Sequence, residues 1–307
     1  MSVRVLVVGH GTMGRRRLRS LRDLGVDDVA VCSRTADLTT LGVPGFTTLD
    51  EAADWRPTAV LVATETSSHL AGARWAINHD CDVFVEKPLA ASLAGVDDLL
   101  DQAEAAGRRI AVGYTLRFHP ALLAIKQAVD DGRIGRLLTA RAEVGQYLPD
   151  WHPDRDYRES YAARADGGGG ALLTLSHELD YMLWIAGPVT GSTGIRARVS
   201  ELELDVDDTA AVICRHGGGA LSTVQSDFLD RSYNRRSRWI GELGTIDWQW
   251  GEPVRLGDEQ LWSDPGFDLE TVYVAELAAF LAGDAGGATG TDARAVQAIV
   301  EEAACLR

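Results

Sequence analysis

The feature that most constrains the fold is a glycine-rich turn near the start of the sequence. An apolar, β-branched run from Val3 to Val8 leads directly into GHGTMG, residues 9–14, and leucines then recur at helical spacing up to Gly25. A glycine turn of this kind is weak evidence alone, but strand, turn and helix in this order predict a dinucleotide-binding unit. We predict that the cofactor contacts Gly9, Gly11, Thr12, Met13 and Gly14.

The first part of the chain alternates between short apolar runs and helical patterns. After the first strand, further strands are predicted at Val29–Cys32, Ala59–Ala63, Val83–Val85 and Ile110–Val112, at intervals of roughly 25 residues. Strands that alternate with helices in this way predict a doubly wound parallel sheet. We therefore assign residues 1–117 to a Rossmann domain.

The pattern changes after Pro120. Runs of alternating apolar and polar residues, separated by glycine turns, predict a large, mostly antiparallel sheet. The length of 307 residues suits two domains. The predicted fold is thus α/β, with a second, substrate-binding domain over residues 118–291. The C-terminal helix, residues 292–307, is a candidate to pack back on the Rossmann domain.

Charge and cysteine content exclude several function classes. The formal net charge of −15 disfavours binding to nucleic acid and to anionic membranes. The N-terminal apolar run is too short for a secretion signal or a membrane span. The four cysteines are far apart and form no CxxC pair, so we expect a cytoplasmic protein without a disulfide framework.

The residues after the second predicted strand bear on the choice of cofactor. An NAD site places an acidic residue about 20 positions past the glycines, where it binds the ribose hydroxyls. Ser33 and Arg34 stand there instead. A hydroxyl and a guanidinium suit a 2′-phosphate, so NADP is favoured over NAD, with a solvated arginine as the alternative.

Lysine is rare in this sequence, and one lysine lies where ligands bind. Only Lys87 and Lys126 are lysine among 30 basic residues. Glu86, Lys87 and Pro88 follow a predicted strand, at the sheet edge where α/β proteins bind ligands. A lysine can exchange a proton with a substrate oxygen if burial lowers its pKa, whereas arginine cannot. The alternative is a surface ion pair between Glu86 and Lys87.

A second group of polar residues follows a glycine run in GGGGALLTLSHELDY, residues 167–181. His177 and Asp180 are three positions apart on a predicted helix and share a face, with Glu178 about 100° away. An imidazole beside a carboxylate suits acid–base catalysis or a metal pair. No third ligand has convincing spacing, so no metal is predicted; a buried structural histidine is the alternative. The glycine run would let the backbone approach a ligand.

Aromatic and planar cationic residues are candidates to hold a polyhydroxylated or anionic substrate. We predict that substrate contacts Arg117, His119, Tyr157, Arg158, Tyr161 and Glu178. Three tryptophans in the predicted sheet are assigned instead to the core or to a subunit interface: Trp239, Trp248 and Trp250.

Four motifs in register resemble the Gfo/Idh/MocA family of NAD(P)-dependent oxidoreductases over essentially the whole chain: GHGTMG from residue 9, FVEKPL from 84, GYTLRFHP from 113 and GGGALLTLSHELDY from 168. The resemblance implies hydride transfer on sugars, inositols or related carbonyl compounds. It makes Lys87 a catalytic or substrate-polarising residue, often followed by a cis proline bond, and maps the family histidine to His177. An open C-terminal sheet that commonly forms the oligomer interface is also implied, so we expect a homodimer or homotetramer.

The sequence departs from the family pattern at two places. Many members have an aspartate shortly before the histidine, where this chain reads Thr174-Leu175-Ser176; Asp180 or Glu178 would then take over its orienting role. The cofactor cleft is expected to include Thr64, Glu65, His69, Glu86 and Lys87, with Glu65 replacing a frequent proline.

The predicted function is hydride transfer between NADP(H) or NAD(H) and a secondary alcohol or ketone of a sugar, amino sugar or related polyol. Lys87 and His177 are the acid–base candidates, and Asp180 is the orienting residue. The SHELDY variant resembles members acting on amino sugars or nucleotide-linked sugars. Two alternatives remain: a redox-assisted glycoside hydrolase that recycles its NAD, and a non-catalytic dinucleotide-binding sensor.

Overall fold

The computed structural model describes residues 3–306, which form two compact units. The N-terminal unit contains residues 3–118 and 268–294, and the C-terminal unit contains residues 119–267 and 295–306. The helices are α1 (Thr12–Asp23), α2 (Leu49–Ala53), α3 (His69–Asn78), α4 (Val96–Ala106), α5 (Pro120–Asp130), α6 (Ala171–Thr174), α7 (His177–Ala186), α8 (Glu270–Ala282) and α9 (Gly290–Glu302).

The strands fall into one sheet in each unit. They are β1 (Val5–Val8), β2 (Val29–Cys32), β3 (Gly45–Phe46), β4 (Ala59–Val62), β5 (Asp82–Val85), β6 (Ile110–Val112), β7 (Leu137–Gly145), β8 (Val189–Ala197), β9 (Thr209–His216), β10 (Leu221–Asp227), β11 (Asn234–Gly241), β12 (Thr245–Gln249), β13 (Val254–Leu256), β14 (Glu259–Trp262), β15 (Ala288–Thr289) and β16 (Ala304–Leu306).

The sheet of the N-terminal unit has the strand order β15-β6-β5-β4-β1-β2-β3. Its strands are parallel except β15, which pairs antiparallel with β6. Strands β1, β2 and β4 are buried along their whole length, which explains why they are continuous apolar runs. The predicted Rossmann-type sheet is confirmed.

The predicted domain boundaries need correction near the C-terminus. Helix α8 was assigned to the second domain, but it belongs to the N-terminal unit, where Leu277 and Phe280 join the core cluster that contains Val5, Leu21 and Phe84. Residues 295–306 instead group with the C-terminal unit, and β16 pairs with β8 there. Each unit is thus built from two segments that are far apart in the sequence. Local sequence patterns do not predict which distant segments pack together.

The sheet of the C-terminal unit has the strand order β14-β13-β12-β11-β7-β10-β9-β8-β16. Pairs β7–β10 and β8–β16 are parallel and the remaining neighbours are antiparallel, so the mostly antiparallel sheet is confirmed. Burial alternates along β9 and β10, so one face is buried and the other is exposed. Trp239 and Trp248 lie on the buried side, as the core assignment predicted.

No helix within residues 3–306 combines the length and the apolar character that crossing a membrane requires.

Candidate active site

Close packing requires glycine at two of the three glycine positions in the turn after β1. Gly9 has φ +96°, and a Cβ there would lie 2.5 Å from the carbonyl oxygen of Ala63. A Cβ on Gly14 would lie 2.1 Å from the carbonyl oxygen of Gly9. Gly11 differs, because within residues 3–306 a Cβ there meets no atom within 4 Å other than those of its immediate chain neighbours and its own helix. Chain packing therefore explains Gly9 and Gly14, whereas the space over Gly11 suits a ligand.

The N-terminus of α1 has the properties of an anion site. Gly11 is its N-cap residue and has no side chain to cap the first turn, and no acidic residue lies in that turn. The backbone N–H groups of the first turn are thus suited to phosphate oxygens, which the helix dipole also favours. The predicted contacts of Thr12 and Met13 fit this arrangement, since both residues begin α1.

The carboxyl edge of the parallel sheet gathers most of the predicted cofactor residues. Gly9 follows β1, Ser33 follows β2, Thr64 follows β4 after one residue, and Glu86 and Lys87 follow β5. Because these strands are parallel neighbours in the order β5-β4-β1-β2, their ends meet at one edge of the sheet. This edge is where a doubly wound sheet binds its ligand.

Ser33 and Arg34 occupy the position that discriminates between cofactors. Ser33 is buried, and its Oγ accepts a hydrogen bond from the backbone N–H of Ala36 at 3.2 Å. Arg34 is exposed and makes no ion pair or hydrogen bond with another residue of the described chain. The guanidinium of Arg34 is therefore available to a phosphate, whereas Ser33 mainly shapes the turn.

His69 has a structural role, and its direct contact with the cofactor stays a prediction. It is 1% exposed, and its Nδ1 and Nε2 lie 2.7 Å from the carbonyl oxygen of Pro88 and 3.1 Å from that of Thr64. Burial lowers the pKa of His69, although the two carbonyl oxygens oppose this shift. Thr64 and Glu65 are more accessible, and their predicted cofactor contacts stay predictions.

Lys87 is half-buried in the turn after β5, and its bond to Pro88 is cis, as the family resemblance implied. Glu86 is not the surface partner of Lys87 that was considered as an alternative. It is 6% exposed, and its Oε1 accepts a hydrogen bond from Nε of Arg17 at 2.6 Å. The Glu86 side chain thus forms a buried ion pair, and the contact of this residue with the cofactor stays a prediction.

The Arg17–Glu86 pair extends to a second carboxylate that the sequence did not indicate. Nη2 of Arg17 also donates to Oε2 of Glu276, at 2.7 Å, although the two residues are 259 positions apart. Burial raises the pKa of Glu276 to about 7, against the influence of Arg17. A Cβ on Gly113 would lie 2.9 Å from Oε2 of Glu86, so that glycine makes room for the cluster.

The histidine motif lies on α7 in the C-terminal unit. His177 is the first residue of the helix and is half-buried, and Asp180, one turn later, is 1% exposed. The predicted helix and shared face are confirmed. Glu178 is fully buried, and its Oε1 accepts a hydrogen bond from Nε of Arg235 at 2.8 Å. The carboxylate is thus engaged with Arg235, and substrate contact by Glu178 stays a prediction.

The glycine run before α6 packs closely against its own chain. A Cβ on Gly169 would lie 2.4 Å from the carbonyl oxygen of Ala162. Gly170 has φ +109°, and a Cβ there would lie 2.7 Å from Oδ1 of Asp207. The absence of side chains lets this segment pack against 161–162 and against Asp207, and the approach of this backbone to a ligand stays a prediction.

Arg117 and His119 are also held by their own units. Arg117 is 5% exposed and donates from Nη1 to Asp292 at 3.2 Å. His119 is 3% exposed, and its Nδ1 accepts a hydrogen bond from the backbone N–H of Ala121, at the start of α5. Its ring contacts four others, those of Trp248, Trp250, Trp262 and Phe267. Both residues therefore support the fold, and their contact with substrate stays a prediction.

The loop before the glycine run contains three residues that were predicted to bind substrate, and all three contact other residues of the C-terminal unit. The hydroxyl oxygen of Tyr157 accepts from the backbone N–H of Glu203 at 3.0 Å. Arg158 is exposed and pairs with Asp156 and Glu203, which raise its pKa. Tyr157 and Tyr161 also pack against a C-terminal core cluster. Substrate contact by these residues stays a prediction.

The structure also bears on metal binding. Among the residues it describes, no group of three or more histidine, cysteine, aspartate or glutamate side chains could hold a metal ion.

Solved structures share this fold. The WlbA dehydrogenase from Bordetella pertussis, in complex with NADH and UDP-GlcNAcA, matches with a TM-score of 0.82 and 21% identity, over 98% of this chain and 95% of that chain. Levoglucosan dehydrogenase, in complex with NADH and levoglucosan, matches with a TM-score of 0.84 and 19% identity, over 98% of this chain and 97% of that chain.

Sequence relatives are named as inositol dehydrogenases. Inositol 2-dehydrogenase 2 of Saccharopolyspora erythraea is 27% identical, over 100% of this chain and 93% of the relative. Inositol 2-dehydrogenase of Acidothermus cellulolyticus is 29% identical, over 84% of this chain and 77% of the relative.

Two family models together match most of the chain. The oxidoreductase family with an NAD-binding Rossmann fold matches residues 3–114, and the GFO/IDH/MocA C-terminal domain matches residues 122–247. Both matches agree with the sheets described above. The chain therefore belongs to the Gfo/Idh/MocA family of oxidoreductases, with an NAD-binding Rossmann domain at its N-terminus.

Proposed function

We propose that this oxidoreductase transfers a hydride between a nicotinamide dinucleotide and a secondary alcohol or ketone carbon of a sugar, amino sugar or related polyol. The observation that carries the proposal is the carboxyl edge of the parallel sheet. The glycine turn after β1 and Lys87 after β5 lie at this edge, separated by β4. A dinucleotide site and a proton-transfer group thus share one edge. The inositol dehydrogenase names of the relatives support a polyol substrate.

The reaction divides between cofactor and protein. A nicotinamide dinucleotide held by the glycine turn after β1 would supply the acceptor for the hydride that leaves the alcohol carbon. In the oxidising direction Lys87 takes the hydroxyl proton as the C–H bond breaks, and the C–O bond becomes a carbonyl. His177 is the second candidate for this proton transfer, with Asp180 on the same helix as its orienting residue.

NADP(H) is the proposed cofactor ahead of NAD(H). Two observations support this preference: no acidic residue directly follows β2, and the exposed Arg34 has no partner in the described chain. A guanidinium binds a 2′-phosphate through charge-assisted hydrogen bonds, whereas an acidic residue would repel it.

A homodimer or homotetramer through the exposed face of the C-terminal sheet is part of the proposal. Ile195, Ile213 and Leu221 are 49%, 49% and 47% exposed on adjacent strands of this face. Apolar residues that cluster on an open sheet face are suited to a second copy of the chain. The widely spaced cysteines support a cytoplasmic location.

The proposal is tested by replacing Lys87 and following reduction of the nicotinamide in the presence of inositols, free sugars and nucleotide-linked sugars. We expect Lys87→Ala to lower kcat by about 10² to 10⁴ while dinucleotide binding persists. Lys126→Ala is the matched control, since Lys126 is the other lysine and pairs with Asp130 on the exposed side of α5. Equal turnover in both variants would remove Lys87 from the mechanism.

A further inference from the structure

Three charged side chains of the N-terminal unit form a cluster that the proposed reaction does not use directly. Arg17 is fully buried between two carboxylates, at 2.6 Å from Glu86 and 2.7 Å from Glu276. Both glutamates are buried as well, and the hydroxyl of Thr115 donates to Oε2 of Glu276 at 3.0 Å. The guanidinium also stacks over the ring of Phe84, at 4.4 Å. Solvent therefore does not screen these charges.

The cluster has one acidic group more than its single cation can neutralise. Oε2 of Glu276 accepts hydrogen bonds from Arg17 and Thr115, but Oε1 is buried and has no hydrogen-bond partner within the described chain. A buried carboxylate oxygen without a donor costs much more free energy in the ionised form than in the neutral form. The arrangement thus favours a proton on Glu276 and a neutral cluster.

The cluster is joined to the turn that carries Lys87. Glu86 directly precedes Lys87, and its backbone N–H donates to the carbonyl oxygen of Val62 at 2.9 Å. Pro88 directly follows Lys87, and its carbonyl oxygen lies 2.7 Å from Nδ1 of His69. Both chain neighbours of Lys87 are therefore held in place. Arg17 holds one of them, Glu86, through its carboxylate.

We infer that Arg17 and Glu276 are positioning residues for Lys87: together they hold the carboxylate of Glu86 in place, and Glu276 does so as a neutral carboxylic acid. This inference rests on the proposed function, because it takes Lys87 as the proton-transfer residue. Neither positioning residue needs to touch substrate. Loss of the proton from Glu276 places a second negative charge beside Arg17, which weakens the hold of Arg17 on Glu86.

The charged groups around Glu276 are few. Arg17 faces it from α1 and Glu86 from the end of β5. On its own helix Tyr273 lies under the guanidinium of Arg16, which pairs at the surface with Glu270. Burial raises the pKa of Glu276, and Glu86 adds to this shift while Arg17 opposes it. The direction agrees with the protonated state inferred from geometry.

The first test is infrared spectroscopy of the intact protein near neutral pH, since it needs no substrate. A protonated carboxylic acid has a carbonyl stretch that is distinct from the bands of a carboxylate. We expect Glu276→Gln to remove such a band from the wild-type spectrum, and Glu270→Gln, on the same helix, to leave it unchanged. Absence of a difference between wild type and Glu276→Gln would overturn the protonated state, whether or not the enzyme turns over.

The second test is kinetic. Arg17→Met and the milder Arg17→Lys are expected to lower kcat by about tenfold to a hundredfold, with little change in the KM for dinucleotide. Glu276→Gln mimics the neutral acid, so its kcat should match that of wild type near about pH 6 and exceed it increasingly towards about pH 9.

The outcomes separate the inference from the function on which it rests. Wild-type kcat in Arg17→Lys, or parallel pH profiles for wild type and Glu276→Gln, would overturn the positioning role. Wild-type protein that turns over no polyol with either dinucleotide would instead contradict the proposed function. The infrared result would still decide the protonation of Glu276 in that case.

Discussion

His69 joins two turns at the carboxyl edge of the sheet: its Nδ1 lies 2.7 Å from the carbonyl oxygen of Pro88, and its Nε2 lies 3.1 Å from that of Thr64. The first contact holds the turn after β5, and the second holds the turn after β4. One buried side chain at the start of α3 thereby fixes the spacing between two segments predicted to meet the cofactor.

Replacing His69 by alanine should lower both stability and activity. The change removes the ring, and with it the one N–H that a neutral imidazole can donate to a carbonyl oxygen, so a buried acceptor loses its donor at a cost of about 1–3 kcal/mol. We expect a lower Tm and a lower kcat for His69→Ala. His79→Ala is the control, because His79 is exposed at the other end of α3. Wild-type Tm and kcat in His69→Ala would show that the contact is dispensable.

Two glycine variants separate packing from ligand binding in the turn after β1. Gly11→Ala meets open space, so its Tm should equal that of wild type, while its Kd for the dinucleotide rises by at least about tenfold. Gly14→Ala places a methyl group against the carbonyl oxygen of Gly9 and should lower Tm as well. Calorimetry with and without dinucleotide measures both effects. Unchanged affinity in Gly11→Ala would argue against a pyrophosphate at this helix N-terminus.

Arg34 is the residue expected to discriminate between cofactors. Arg34→Ala should weaken NADPH binding by roughly tenfold, because a charge-assisted hydrogen bond to phosphate is lost, and should leave NADH binding nearly unchanged. Arg19→Ala, an exposed substitution on α1, controls for the change in net charge. Equal losses for NADPH and NADH in Arg34→Ala would contradict the proposed NADP preference.

The lowered pKa of His119 predicts that the stability of the protein depends on pH. Burial, aided by Arg235, lowers the pKa of His119 to about 4 from an ordinary value of 6.5. Between these values the unfolded chain binds a proton that the folded chain does not, so the unfolding free energy falls as pH decreases through this window.

The comparison of two asparagine variants measures this contribution. His119→Asn does not titrate and can still cap α5, so its Tm should fall less than that of wild type between about pH 6.5 and pH 4. His152→Asn, at an exposed histidine, should follow wild type. If Tm fell equally with decreasing pH in His119→Asn and in wild type, the lowered pKa of His119 would be refuted.

The proposed interface on the exposed sheet face predicts that a charged residue placed there changes the oligomeric state. Ile213→Glu places a carboxylate on β9, between the strands that carry Ile195 and Leu221, and should convert the oligomer to monomers in sedimentation velocity experiments. Leu243→Glu is the control, since Leu243 is 78% exposed in the turn between β11 and β12. A monomeric wild-type protein, or an Ile213→Glu variant that keeps its oligomeric state, would contradict the proposed interface.

The fold was predictable from the sequence because its determinants are local. The apolar runs of β1, β2 and β4 and the glycine turn before α1 each lie within a few residues. The polar residues with structural roles were harder to assign, because their partners are distant along the chain. Arg117 pairs with Asp292, 175 positions away, and Glu178 pairs with Arg235, 57 positions away.

The same distance concealed the buried cluster around Arg17. In the sequence Arg17 is one of several arginines on a polar helix, and Glu276 belongs to a segment assigned to the other domain. The rarity of lysine made Lys87 a candidate, since a composition bias is visible without any knowledge of contacts. A buried arginine among many arginines gives no such signal.

The most direct test of hydride transfer is an isotope experiment. The wild-type protein is incubated with NADP⁺ and an inositol that carries deuterium at each ring carbon, and the reduced nucleotide is analysed by NMR or mass spectrometry. We predict deuterium at C4 of the nicotinamide, in an amount equal to the ketone formed. Tight dinucleotide binding without label transfer to the nucleotide, across inositols and similarly labelled sugars and with NAD⁺ as well, would contradict the account.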